Sequence, residues 1–257
     1  MKNGIRGLML FVGALLMTHT AYAQSCYQYS GPMFNSVSGV YTTSDHVTAT
    51  LILTSPITSA INYSNSSPFP APSFLTMSDG VQTLDTATTP IWSVGIDPAD
   101  LFIWSAVLQG ASTADIDTSA VNAGHGQLFR VDEGYLTTSL TSPFGFEEDN
   151  FTPVGNPWIL TPDLPSCALA VVKSINADVH MMSIPILGPI LSDTLLDVTS
   201  NIASLHQYQA CEVIRGFDIL VRLGEKFDKK NFTATQANAL LSASKSLQYV
   251  LGCGPGI

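Results

Sequence analysis

The chain has 257 residues, with 10 Lys and Arg against 20 Asp and Glu, and a net charge of −10. Between Gln24 and Pro165 the only base is Arg130, set against 13 acids. That balance argues against nucleic acid or anionic lipid as a partner, because phosphate contacts need clustered cations.

The first element reads as a leader. Lys2 and Arg6 precede an apolar run from Leu8 to Met17, and Ala21-Tyr22-Ala23 puts small residues at the −3 and −1 positions of a signal-peptidase site. The run is shorter than the roughly 20 residues of a permanent span. Residues 1–23 are therefore expected to be a signal peptide, and the mature chain, starting at Gln24, to be exported to the periplasm or beyond. Gln24 and Ser25 do not make a lipobox before Cys26. No later segment resembles a membrane span, so no integral membrane segment is expected in the mature chain. Four cysteines in an exported chain predict two disulfides, and their spacing, without a C-x-x-C pair, does not suit zinc. Three pairings are open on the residues alone.

Residues 24–165 are expected to form an all-β, antiparallel, sandwich-like domain. Val47, Ala49, Leu51 and Leu53 alternate with Thr48, Thr50, Ile52 and Thr54, and Phe102, Trp104, Ala106 and Leu108 repeat that period of two. Ser78-Asp79-Gly80 is a turn leading into a strand at Val81–Leu84. Ser, Thr, Pro, Asn and Gly fill the gaps, as from Asn62 to Pro72.

The pattern changes after Pro165, and residues 166–257 are expected to form a small, disulfide-stapled helical bundle. Leu191, Leu195, Val198, Ile202 and Leu205 make one helical stripe, with Pro189 in a first turn that tolerates it. Val213, Ile214, Phe217, Leu220 and Val221 make a second stripe. Lys229-Lys230-Asn231 is a turn. Thr233 and Gln236 form a capping box ahead of a third helix carrying Ala237, Leu240, Leu241, Ser244 and Leu251.

Two stretches carry resemblances. Tyr41-Thr42-Thr43-Ser44-Asp45-His46-Val47-Thr48, with Met77-Ser78-Asp79-Gly80-Val81-Gln82-Thr83, resembles a β-domain of unknown activity from exported bacterial proteins, many of which carry a PEP-CTERM-type sorting tail. The resemblance covers about residues 26–160. The chain ends at Gly254-Pro255-Gly256-Ile257 without such a tail, so tail-dependent sorting is not expected. Cys211, Phe217–Val221, Phe232–Ala237 and Leu251-Gly252-Cys253 are similar to the FIMAH-like helical module of secreted bacterial proteins. That resemblance implies a Cys211–Cys253 disulfide and, with it, Cys26–Cys167. Neither resemblance implies a reaction or a cofactor.

No constellation of residues spells out an active site. Glu147-Glu148-Asp149 is expected in a loop between Pro143 and Pro153, and strand neighbours point to opposite faces, so the run cannot itself be a glycosidase pair. Asp115 and Asp117, near Asn122 and Gly124, are the weak candidates for a metal site; a calcium loop needs more oxygens at fixed offsets, and a solvated turn is expected there instead. His46, His125, His180 and His206 are scattered, and His180-Met181-Met182 cannot converge on one copper ion. No G-x-S-x-G or H-E-x-x-H is present. Of the tryptophans, Trp104 is expected in the core, Trp158 at the closing edge of the sandwich, and Trp92 in either the core or a sugar-stacking surface. The function expected is that of an exported non-catalytic binding or structural protein, with an extracellular polysaccharide or envelope component as candidate partner. The alternatives are a glycan hydrolase drawing carboxylates from separate strands, and a calcium-stabilised surface module.

Overall fold

The computed structural model describes residues 25–59, 62–68, 70, 73–96, 103–110, 115–122, 128–135, 144–151 and 158–254. The expected leader, the proposed turn at His125 and Phe102 lie outside them. Among the described residues the strands are β1 (Ser25–Met33), β2 (Ser36–Val37), β3 (His46–Leu53), β4 (Tyr63–Ser64), β5 (Phe74–Ser78) and β6 (Thr83–Asp85). They continue with β7 (Ile91–Ile96), β8 (Ile103–Gln109), β9 (Asp115–Asn122), β10 (Leu128–Tyr135), β11 (Phe144–Phe151) and β12 (Trp158–Thr161). The helices are α1 (Leu164–Met181), α2 (Leu187–Ala203), α3 (Gln207–Phe227) and α4 (Ala234–Val250).

Two antiparallel sheets form a β-sandwich. Five strands run in the order β12-β1-β3-β5-β6 and seven in the order β2-β11-β10-β9-β8-β7-β4. Strands β7 to β11 are a meander in which each pairs with the next. The smaller sheet is completed by a long return, because β12 pairs with β1 and sets Thr161 opposite Cys26. Helix α1 starts three residues further on, and this carries Cys167 to Cys26.

The alternation in β3 sorts its side chains between two cores. Val47, Ala49, Leu51 and Leu53 pack with Val94, Ala106, Leu108 and Ile116 between the sheets. Ile52 points the other way, with Cys26 and Phe74, into a second core made by α1 and the rest of the bundle. The inner strands of the smaller sheet are thus buried on both faces, and the layers run sheet, sheet, helices. Strands covered on both sides read as continuous apolar runs, and Leu51-Ile52-Leu53 and Phe74-Leu75 are such runs.

The bundle has four helices where the sequence stripes predict three. Helix α1 packs on α2 and α4, and α3 packs on the same two, closing a ring; α1 also touches β1, β3, β5 and β6. Because α1 is buried by sheet and helices together, it hides Cys167, Ala168, Val171, Val172, Ser174, Ile175, Asp178 and Val179, too broad a face for a single stripe. Its start is marked by Asp163, which accepts from Ser166 N, followed by Pro165 in the first turn. In α2 the stripe is buried from Leu191 to Ile202, but Leu205 falls past the helix end at φ 58° and is exposed. Both bonds of the Thr233–Gln236 capping box are present at α4.

Glu147-Glu148-Asp149 is corrected from loop to strand. It lies in β11, where the register sets Glu147 opposite Asp132, Glu148 opposite Val131 and Asp149 opposite Arg130. Phe144, Phe146 and Phe151 supply β-propensity around the acids, and hairpin pairing with β10 completes the strand. Two disulfides join Cys26 to Cys167 and Cys211 to Cys253, with Cα–Cα distances of 6.5 and 5.5 Å. Among the described residues, no helix is long and apolar enough to cross a membrane.

Candidate functional site

Among the described residues, polar side chains converge at several places, and three of these are tied to junctions of the fold. The first joins the loop ahead of β3 to the turn after β5. Asp79 directly follows β5 and is fully buried. Its Oδ1 accepts Val81 N at 2.9 Å and Gln82 N at 2.8 Å; its Oδ2 accepts Tyr41 Oη at 2.5 Å and Gln82 Nε2 at 2.9 Å. Gly134 of β10 covers this carboxylate, and a Cβ there would sit 2.5 Å from Oδ2. Gly80, at φ +93°, turns the chain beside Asp45, which accepts from Thr42 N. Burial and then Asp79 push the Tyr41 hydroxyl pKa far up, so it stays a donor. The four donors use the acceptor positions of Asp79, leaving it no role as a base toward an outside molecule.

A second knot joins the smaller sheet to α1. Asp85, at the end of β6, accepts Ala87 N, Thr88 N and Thr88 Oγ1 on Oδ1, and Ser174 Oγ on Oδ2 at 2.6 Å. Thr88 Oγ1 also lies 3.1 Å from Oδ1 of Asp178. Burial first, and then the neighbouring Asp85, pushes the Asp178 carboxyl up to about 9. The third knot is interhelical: Asp218 of α3 accepts Ser244 Oγ at 2.5 Å and Gln248 Nε2 at 2.7 Å from α4.

Asp115 and Asp117 lie on β9 rather than in a solvated turn, with Asp117 directly opposite Glu133 of β10. Burial, then Glu133, raises the Asp115 carboxyl. Among the described residues, no three His, Cys, Asp or Glu side chains are grouped to hold a metal ion. His46 is half-buried on β3, His180 and Met181 are exposed at the end of α1, and His206 is exposed just before α3. Trp92 and Trp158 are core residues, Trp158 tilted against Tyr29 with ring centroids 5.4 Å apart. Trp92 is thereby placed in the core and not on a sugar-stacking surface.

Like charges opposed across a ladder repel. Glu133→Gln should therefore raise the melting temperature slightly in the presence of chelator, read by differential scanning fluorimetry. A fall in wild-type melting temperature on adding chelator, absent in the variant, would instead mean that a cation bridges these acids.

A groove of about 60 Å³ opens between α1 and the outer face of the smaller sheet, lined by Thr48, Thr50, Thr76, Ser78, Thr83 and Lys173. Small-molecule pockets run to roughly 300–1,000 Å³, so this groove has room for a few waters. The knots at Tyr41, Asp79 and Gln82 and at Asp85, Ser174 and Asp178 were not legible as clusters, because each joins segments distant in sequence. The Ser-Asp-Gly turn at Asp79 was the one local signal. No family model, curated protein or solved structure matches the chain.

Proposed function

We propose that the chain is an exported, non-catalytic binding or structural protein, a β-sandwich clamped by a helical layer, acting on an extracellular polysaccharide or envelope component. The observation that carries this reading is how the converging acids are used: Asp79, Asp85 and Asp218 are occupied by hydroxyl and amide donors of their own fold. A glycosidase needs two carboxyl groups facing a shared space about 5–10 Å across. Asp79, Asp85 and Asp218 face protein donors instead.

Export is supported by the leader pattern at residues 1–23 and by two disulfides, which persist in oxidising compartments. The resemblance to a PEP-CTERM-associated β-domain and to a FIMAH-like module points the same way. Isothermal titration of residues 24–257 against polysaccharides and isolated envelope fractions tests the reading. Saturable binding without release of reducing ends supports it. Release of reducing ends would transfer the reading to a hydrolase, and silence throughout would end the binding version and leave a structural role.

A further inference from the structure

We propose that Asp178 and Asp85 form a proton-dependent latch that holds α1 on the five-stranded sheet, closed while the pair keeps a proton between its carboxyls. Both side chains are buried, Asp85 at 0% and Asp178 at 1% exposure, and they come from different layers of the molecule. Asp85 is supplied with donors on both oxygens: two backbone N–H groups and Thr88 Oγ1 on one, Ser174 Oγ on the other. Asp178 is not. Its Oδ1 meets only Thr88 Oγ1, whose single proton is also within reach of Asp85, and its buried Oδ2 accepts nothing.

An ionised Asp178 would leave that oxygen unpaired beside a second carboxylate in a dry interface. As a carboxylic acid it has an O–H to donate to Asp85. Its place in the last turn of α1 adds to the effect, since the C-terminal end of a helix repels negative charge. The other titratable groups on the packed elements do not offset this. Lys173 and His180 on α1, Asp193 and Asp197 on α2, and Lys245 on α4 are exposed; His46 on β3 is half-buried; Tyr249 on α4 donates to Thr54 O.

The architecture makes the contact a latch and not only a core bond. Helix α1 is tethered covalently at its start by Cys167 to Cys26, whereas its second half is held by the hydrogen bonds of Ser174 and Asp178 and the apolar contacts of Ile175 and Val179. Loss of the proton loosens the second half while the first stays attached.

The direction with pH follows from linkage. Asp178 binds its proton more tightly in the closed state than when exposed, so closure is strongest below its ordinary value of 3.8. It weakens about tenfold per pH unit as pH rises toward about 9.

The test uses residues 24–257 with both disulfides intact. Melting temperatures of the wild type and of Asp178→Asn, whose amide donates to Asp85 at every pH, are compared from pH 5 to 9. The wild type should fall progressively behind the variant as pH rises, and parallel curves would overturn the proposal. If Asp178→Asn does not fold, a carbon-13 titration of the wild-type Asp178 carboxyl decides. A midpoint near 9 supports the latch; a midpoint near 4 overturns it.

Limited proteolysis then separates a local latch from a global effect. The wild-type to variant ratio of cleavage rates in the α1–α2 connection, residues 182–186, should increase with pH at temperatures well below melting. A constant ratio would count against opening at α1.

Discussion

Replacing Cys26 and Cys167 together by alanine should lower the free energy of unfolding by about 5 kcal/mol in the chain-entropy picture, the larger of the two disulfide effects. The bond closes 141 residues, against 42 for Cys211–Cys253, for which the same relation gives about 4 kcal/mol. Both sulfurs of the long bridge are buried where the first strand meets α1, and alanine leaves no unpaired polar group there. Urea denaturation of residues 24–257 at neutral pH, with the wild type as reference, measures the loss. A change below about 1 kcal/mol would mean that the return of β12 to β1 and the apolar contact of α1 hold the layers without covalent help.

The second large effect is expected at Asp79. Asp79→Ala removes the acceptor for four donors and leaves the buried Tyr41 hydroxyl, two backbone N–H groups and the Gln82 amide to find others. Hydrogen bonds to a charged group contribute about 1.5–3 kcal/mol each, and buried donors left unpaired cost about 1–3 kcal/mol. Because the donors share one acceptor their losses do not add, and a total of about 3–5 kcal/mol is expected. Tyr41→Phe deletes one donor, keeps the ring against Phe34, and should cost about 1–2 kcal/mol. Thermal unfolding of the two variants checks both the size and the order. If Tyr41→Phe proved as damaging as Asp79→Ala, the aspartate would owe its burial to the tyrosine alone, and the turn bonds to Val81 and Gln82 would be incidental.

The fold was legible where one physical rule acted alone. The alternation from Val47 to Thr54 marked a strand, and its Thr-rich side proved to be the face beneath α1. The stripes in α2, α3 and α4 and the Thr233–Gln236 box marked helices because each of these helices has one wet side. Helix α1 escaped because sheet and bundle bury it from several directions, and its Asp163-Leu164-Pro165 start was the cue to use. Glu147-Glu148-Asp149 reads as a loop because Pro143 and Pro153 flank it, but the phenylalanines around the acids and the pairing with β10 make it a strand. Of the candidate site, only the Asp79 turn lay within one short segment. The pairing of Asp85 with Asp178 depends on β12 returning to β1 and delivering α1 to the smaller sheet, a tertiary event without a local signature.

These layers make a specific claim about cooperativity. Cys26, Ile52 and Phe74 from the smaller sheet belong to the same core as the bundle, so sandwich and helices should not unfold separately. Differential scanning calorimetry of residues 24–257, disulfides intact, at about pH 6 tests this most directly. A single transition whose calorimetric and van't Hoff enthalpies agree is the predicted result. Two resolved transitions, or a calorimetric enthalpy well above the van't Hoff value, would contradict it and show the helical layer to be an independent domain.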